Sequence, residues 1–370
     1  MFRHSIEAPM TNLPTTMTAV VLTGHGGIDM LHYREDVAVP SLAADEVLIR
    51  VAAAGINNTD INTRIGWYSK ANSGGTGTGA AEGLDAISAD DASWSGIPLQ
   101  FPRIQGADCC GTIVAVGADV SADRIGERVL VRSVMTARDT DKPFMSWTFG
   151  SEMDGAFAQY AAAPADETVS IDSTWSDVEL ASIPCAYSTA ENMLHRGDLG
   201  ADRVLVTGAS GGVGSAAIQL AKRRGAEVIA LSSAAKADQV RALGADRVLD
   251  RNADLVAELG RDSIDYVVDL VGGPDWPSLL DIMRRGARYS VAGAIAGPIV
   301  ELDLRTLYLK DLSFFGATYQ EPVVFQNLIG YIERNEISPV ISATYPLSDI
   351  HTAQEDFIAK KHTGKLVLVP

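Results

Sequence analysis

The chain has 370 residues, 46% of them hydrophobic and 34 of them glycine, with a formal net charge of −17. That length accommodates two domains with separate cores, and the apolar fraction excludes global disorder. An acidic field of this size repels nucleic acid and anionic membrane, so a small-molecule substrate is expected rather than either of those partners.

Of the three cysteines, Cys109 and Cys110 are adjacent, which offers no disulfide framework and suits a reducing, cytoplasmic setting. The first 16 residues lack the apolar core of a signal peptide and read as a short polar extension, and no run of 18 apolar residues exists to span a membrane. Residues 17–24 and 45–55 read as short strands. The stretch that follows, GINNTDINTRIGWY (55–68), is dense in polar side chains and reads as a solvated turn or as one wall of a site. Residues 69–101 are rich in Gly, Ala, Ser and Asp with little periodicity. A segment this long without structure of its own is expected to be a lid, a binding loop or disordered. Strands resume at 111–117 and 126–132, and a second irregular stretch covers 136–155.

From about residue 184 the pattern changes to strand–helix alternation. RVLVTG, GVGSAAIQLAKRRG, EVIALS, KADQVRALG and RVLD follow one another, then SIDYVVDLVG, PDWPSLLDIMRRG and ARYSVAG. This predicts an α/β unit, a parallel sheet with helices on both faces. The last 50 residues again contain short strands and are expected to rejoin the first half.

The strongest local signal is at 203–222. A buried strand runs into Gly208, Ala209, Ser210, Gly211, Gly212, Val213 and Gly214, and a helix follows. Glycine at 211 lets backbone approach a pyrophosphate, glycine at 214 lets the helix pack on the strand, and the helix N-terminus offers free N–H groups to the anion. Ala209 stands where the usual G-x-G-x-x-G begins. A tight strand–helix turn without ligand is the plainer alternative, but the flanking strand, helix and second strand favour dinucleotide binding. An NAD site usually carries Asp or Glu at the end of the second strand; here that position is Ser232-Ser233, with Lys236 one turn on and Arg251 ending the next strand. Hydroxyls and two cations suit a 2′-phosphate, so NADPH is expected over NADH, although Lys236 and Arg251 also read as ordinary surface charges.

Taken together, GINNTD, QGADCCGTIVAVG, GERV, DGAFAQY, VTGASGGVGSAAIQLAK, ALGADRVLD, DLVGG and HTGKLVLVP resemble the medium-chain dehydrogenase/reductase superfamily over nearly the whole chain. The resemblance implies a β-rich, GroES-like catalytic domain (1–183 and 319–370) interrupted by a doubly wound Rossmann domain (184–318), with the active site in the cleft between them. It also implies a homodimer paired along a Rossmann sheet edge, for which residues 287–304 are expected to serve. Zinc-dependent members hold their metal by a Cys in the polar loop, a His in a Gly-His-Glu block and a third residue before the Rossmann domain. The matching positions here are Asn57, the triplet Gly106-Ala107-Asp108, and Cys185, so no metal site is expected. This points to the zinc-free, quinone-oxidoreductase-like branch, whose G-x-N-x-x-D…R-x-G-x-Y loop carries over as Asn57, Asp60, Arg64 and Tyr68. The family's tyrosine two residues after the Asp is Asn62 here.

Without a Lewis acid, hydride transfer suits acceptors that are already electron-poor, quinones or α,β-unsaturated carbonyls. The expected catalytic residues are Asn57, donating an amide N–H to the developing oxyanion; Thr59, in the slot of the zinc enzymes' relay hydroxyl; Asp60; and Tyr68, a proton donor or stacking surface. Asp60 and Arg64, four apart, also read as an ion pair in a turn, and Cys185 as a buried small hydrophobe. Residues 69–101, bracketed by Trp67, Tyr68 and Trp94, are expected to cap the cleft together with Phe144, Trp147 and Phe149. Two other readings stay open: an alcohol dehydrogenase using zinc through unrecognised ligands, and a nucleotide-binding protein with little catalytic activity.

Overall fold

Strand–helix alternation in the second half builds a parallel sheet buried on both faces. The computed structural model describes residues 13–85, 87–137, 142 and 144–370, so residues 1–12 of the polar extension fall outside it, as do Ala86 and most of 138–143. Six parallel strands lie in the order Arg247–Asp250, Glu227–Ser232, Arg203–Val206, Ile264–Asp269, Met283–Val291, Ser313–Gly316. Numbered along the chain this is 3-2-1-4-5-6, the doubly wound dinucleotide-binding order. Side chains alternate in direction along a strand. Val204 and Val206 therefore pack on one face with Ala217 and Tyr266, and Leu205 on the other with Ile229 and Leu280. Each such fully buried aliphatic contributes about 1.5–3 kcal/mol.

The other half is antiparallel and β-rich. Its seven-stranded sheet centres on Glu46–Gly55, which pairs with Cys110–Val116 and Tyr160–Pro164, and near its end with Lys365–Val369 through Val367↔Gly55 and Leu368↔Ala54. Strand Lys365–Val369 thus sits between a segment paired with it from 312 and 314 positions earlier and Ile341–Pro346. Among the described residues no helix is long and apolar enough to cross a membrane.

Two expectations need correction. Residues 274–286 are not one helix: the helix ends at Ile282 and the strand begins at Met283. Met283 and Ala287 point into the core while Arg284 and Arg285 stay exposed, so burial in the sheet decides the boundary. Nor do residues 287–304 form the edge of the parallel sheet. Met283–Val291 is an interior strand, and the edge is Ser313–Gly316, where the chain returns after the helix Leu304–Leu309.

Candidate active site

The polar loop is a helix start. Gly55 ends its strand, Asn57 is the N-cap, and Asn58–Ile65 is helical, closed by Gly66 in the left-handed region (φ 70°). Asn57 donates its backbone N–H to Asp60 Oδ2 at 2.7 Å, so Asp60 satisfies one of the orphan donors that every helix start presents. Asp60 is 2% exposed, and burial pushes its carboxyl up to about 7, against the hydrogen bond from Asn57 and the nearby Lys365 cation. The expected Asp60–Arg64 ion pair does not form. Arg64, fully buried, donates instead to Gln354 Oε1 and to the carbonyls of Gly26 and Ala80, because its side chain points away from the first turn.

Asn57 belongs to a buried knot. Lys365 Nζ donates to Asn57 Oδ1 at 2.5 Å and to Asp108 Oδ2 at 2.7 Å; Asn57 Nδ2 donates to Asp108 Oδ2 at 2.8 Å and to Gly55 O at 3.3 Å. Cys185 donates its backbone N–H to Asp108 Oδ1 at 2.6 Å. An amide has two N–H donors, and both of Asn57's are taken. The expected donation from Asn57 to a substrate oxygen therefore does not fit this geometry. The side chains of Lys365 and Asp108 are 3% and 0% exposed. The closeness leaves no room at Gly55, where an added Cβ would lie 2.4 Å from Asp108 Oδ2.

Zinc would need about three thiolate, imidazole or carboxylate ligands with one open position. Here the donor set is an amide, an alanine, a carboxylate already paired with an ammonium, and a thiol that burial, then the Asp108 charge, pushes up and so keeps protonated. No cluster of three His, Cys, Asp or Glu suited to a metal occurs among the described residues. These residues do not fit the ion.

Thr59 and Tyr68 form a second group, one turn away. Tyr68 Oη donates to Thr59 Oγ1 at 3.1 Å, and the Trp94 indole Nε1–H donates to the same oxygen at 2.6 Å. Burial pushes the Tyr68 phenol up, against its hydrogen bond to Thr59. The rings of Tyr68 and Trp94 meet edge to face, 5.6 Å apart. Of the aromatics expected to cap the cleft, Phe149 is instead fully buried in the core of the β-rich half, and Phe144 is largely exposed.

The glycine-rich turn meets the knot at Lys365. Gly208 is left-handed (φ 58°), and a Cβ at Gly214 would sit 2.3 Å from the Gly208 carbonyl oxygen. Helix Gly212–Arg223 starts there, with Ala209 and Val213 packed in or against the core and Ser210 half-buried. Gly211 bridges to Gly364, which donates its N–H to Ser210 O at 3.0 Å, and the Lys365 stem passes within 3.0 Å of a Cβ built at Gly212. The glycine turn, Lys365, Asn57 and Thr59 are thus joined by a continuous chain of contacts.

At the end of Glu227–Ser232, Ser232 is buried and its Oγ has no hydrogen-bond partner; Ser233 is half-buried beside it. Lys236 Nζ donates to the carbonyls of Lys360 (2.8 Å) and His362 (2.5 Å), while Arg251, exposed, donates its backbone N–H to Ser232 O. Burial, then the cations of Lys360 and Lys236, lowers His362 to about 4, while Lys360 is exposed and donates its Nζ to Asn58 Oδ1. The carboxylate nearest this strand end, Asp250, accepts the Asn252 N–H instead. An orphaned buried hydroxyl, an unpartnered His362 Nδ1 and this concentration of cations fit an anionic group.

Sequence reasoning brought together Thr59 with Tyr68, and Ser232 with Lys236 and Arg251. It missed the roles of Asp108, Lys360 and His362, the hydrogen bond from Trp94 to Thr59 and the place of Lys365. A signal existed for Lys365: in KLVLV it shares a face with Val367, a core residue, so its head had to find a buried partner.

Comparison with known proteins agrees with this geometry. Residues 43–173 match the alcohol dehydrogenase GroES-like domain family and 212–334 the zinc-binding dehydrogenase family. The chain is 46% identical to a candidate alcohol dehydrogenase of known structure from Sinorhizobium meliloti 1021, with a TM-score of 0.86 and 98% of each chain covered. It is 27% identical to the chloroplastic NADPH-dependent alkenal/one oxidoreductase of Arabidopsis thaliana, covering 97% of this chain and 81% of that one. It is 28% identical to the quinone oxidoreductase of Homo sapiens, covering 95% and 98%. With a GroES-like part, a Rossmann sheet and these relatives, the chain belongs to the medium-chain dehydrogenase/reductase superfamily, in its quinone-oxidoreductase-like branch, and is an oxidoreductase.

Proposed function

We propose that the protein is an NADPH-dependent reductase of quinones or α,β-unsaturated carbonyls that works without a catalytic metal. The observation that carries this is the knot of Lys365, Asp108 and Asn57: a fixed internal cation occupies the donor set that a zinc enzyme would use for its ion. Gly208 to Gly214 would hold the pyrophosphate, and Ser232, Ser233, Lys236, Arg251, Lys360 and His362 the 2′-phosphate. When bound, the reduced nicotinamide would supply hydride to an electron-poor carbon. Thr59 accepts two hydrogen bonds, so its own hydroxyl proton is free to donate to the substrate oxygen that gains charge. Asn57 and Asp60 hold the helix start that carries Thr59, and solvent supplies the final proton. Residues 184–318 act as the cofactor domain and the flanking segments as the substrate domain. Two copies would pair along Ser313–Gly316, a pairing that a solution mass of 39.2 kDa by light scattering would exclude.

The test is NADPH consumption with a 1,4-quinone, an enone and an aldehyde, and NADP⁺ reduction with a secondary alcohol, each with and without EDTA. Reduction of quinone or enone unaffected by EDTA is expected. Alcohol or aldehyde turnover abolished by EDTA would overturn the metal-free reading. Binding of NADPH with no turnover would favour a non-enzymatic role.

Asp60 gives a prediction of pH dependence. Its carboxyl is near 3.8 when unfolded and about 7 when folded, so between those values the folded state holds the extra proton and loses stability as pH rises. The slope is at most about 1.4 kcal/mol per unit. Asp60→Asn removes it, so the variant should gain roughly 2 kcal/mol relative to wild type between pH 5 and pH 8, read by urea denaturation at each pH.

A further inference from the structure

The segment 69–101 is not a detached loop. Thr76 donates its N–H to Ile295 O at 3.0 Å, and a Cβ at Gly75 would meet that same oxygen at 2.5 Å. Ile295 follows the carboxyl end of strand Met283–Val291, the end at which parallel α/β sheets receive their ligands. From there the segment returns to the β-rich half. Ser95 donates its N–H to Glu152 Oε1 at 3.0 Å, and Ser93 Oγ donates to Ile97 O at 2.6 Å. These contacts hold the intervening Trp94 with its indole N–H on Thr59. The segment therefore straps one side of the cleft to the other and delivers one side chain to the candidate site.

The chemistry of that side chain matters. An indole N–H donates and never accepts. Thr59 Oγ1 must therefore accept from Trp94, and it also accepts from Tyr68. Both acceptor positions of the threonine are filled. The one hydroxyl proton left over in the group is Thr59's own. Without the indole, the threonine proton can turn onto Tyr68 and the direction of the network reverses.

We propose that Trp94 is a positioning residue: its N–H fixes the polarity of the Thr59–Tyr68 pair so that Thr59 donates to the substrate's carbonyl or quinone oxygen. The segment 69–101 is then part of the substrate site as well as its cover. This rests on the reductase reading for the class of substrate, but its structural content can be tested separately.

Trp94→Phe keeps a ring and removes the donor. Its kcat for 2-cyclohexenone should fall about tenfold, the upper end of the loss expected for one neutral hydrogen bond, with KM changed less than twofold and NADPH affinity unchanged. Thr59→Val should lose more, and Thr59→Ser should recover most of it. The second readout needs no turnover. In the complex with NADP⁺, the carbonyl stretch of ¹³C-labelled 2-cyclohexenone should be shifted to lower frequency in wild type, unshifted in Thr59→Val, and intermediate in Trp94→Phe.

Normal kcat and an unchanged carbonyl band in Trp94→Phe would overturn the inference while leaving the reductase reading intact. A Trp94-dependent band in a protein that reduces nothing would uphold the inference and sink the reductase reading. Failure of the enone to bind would overturn both. Unchanged NADPH affinity separates each of these outcomes from misfolding, and Thr59→Ser and Thr59→Val carry the test if Trp94→Phe does not fold.

Discussion

Lys365→Met should destabilise the protein by about 3–5 kcal/mol, because it leaves Asp108 charged, fully buried and without its cation. Asp108 would keep only the N–H donors of Cys185 and Asn57. Asp108→Asn should cost a similar amount by stranding the ammonium. The double variant, which carries neither charge, should recover much of the loss, since apolar or neutral replacement of a buried pair is often close to neutral. A urea-denaturation cycle over the four proteins measures this directly. Additive single losses would mean that the two groups do not depend on each other and that the knot is not a unit. A metal could not substitute for the cation in the single variant, because the remaining donor set is too poor. Added zinc should therefore leave the denaturation midpoint of Lys365→Met unmoved.

Ser232→Asp should reverse the choice of cofactor. The serine's Oγ is buried and unpartnered at the strand end where a carboxylate would otherwise receive a ribose hydroxyl. A carboxylate there would repel a 2′-phosphate and would also engage Lys236 or Arg251, the cations proposed to hold it. Loss of one charge-assisted contact and gain of one repulsion weaken NADPH by about 2–3 kcal/mol, a Kd ratio of roughly 30- to 150-fold. NADH, which has no 2′-phosphate, should bind as well as before or better. Calorimetric titration with both dinucleotides checks this. Equal weakening of both would mean that Ser232 supports the fold and does not read the phosphate.

The two candidate regions differ in how far the sequence alone revealed them. The glycine turn is local: strand, Gly208, Gly214 and helix lie within 20 positions, and each needs only its neighbours to be understood. The same holds for the polar density of 55–68. Its meaning was less accessible, because the Asn57 side chain and Arg64 find their partners by direction, not by spacing. Asn57 reaches Asp108, 51 positions away, and Arg64 reaches Gln354, 290 away. Trp94 was visible only as an aromatic in a biased segment, since its hydrogen bond to Thr59 spans 35 positions. The sheet edge was misplaced for a related reason. Residues 287–304 are apolar enough to pair with anything, and only the return of the chain as Ser313–Gly316 decides which strand is outermost.

The partnership of Lys365 with Asn57 also has a cost in time. The two residues are 308 positions apart. At the usual rate of synthesis the lysine follows the asparagine by about 15–60 s. Throughout that interval strand Glu46–Gly55 lacks its neighbour Lys365–Val369, and a carboxylate destined for burial, Asp108, has no counter-ion. The six-stranded parallel sheet is uninterrupted in sequence and is complete well before then. A nascent chain should therefore acquire its parallel-sheet half first and its β-rich half last, with the open β-strand as the stretch most in need of protection while it waits.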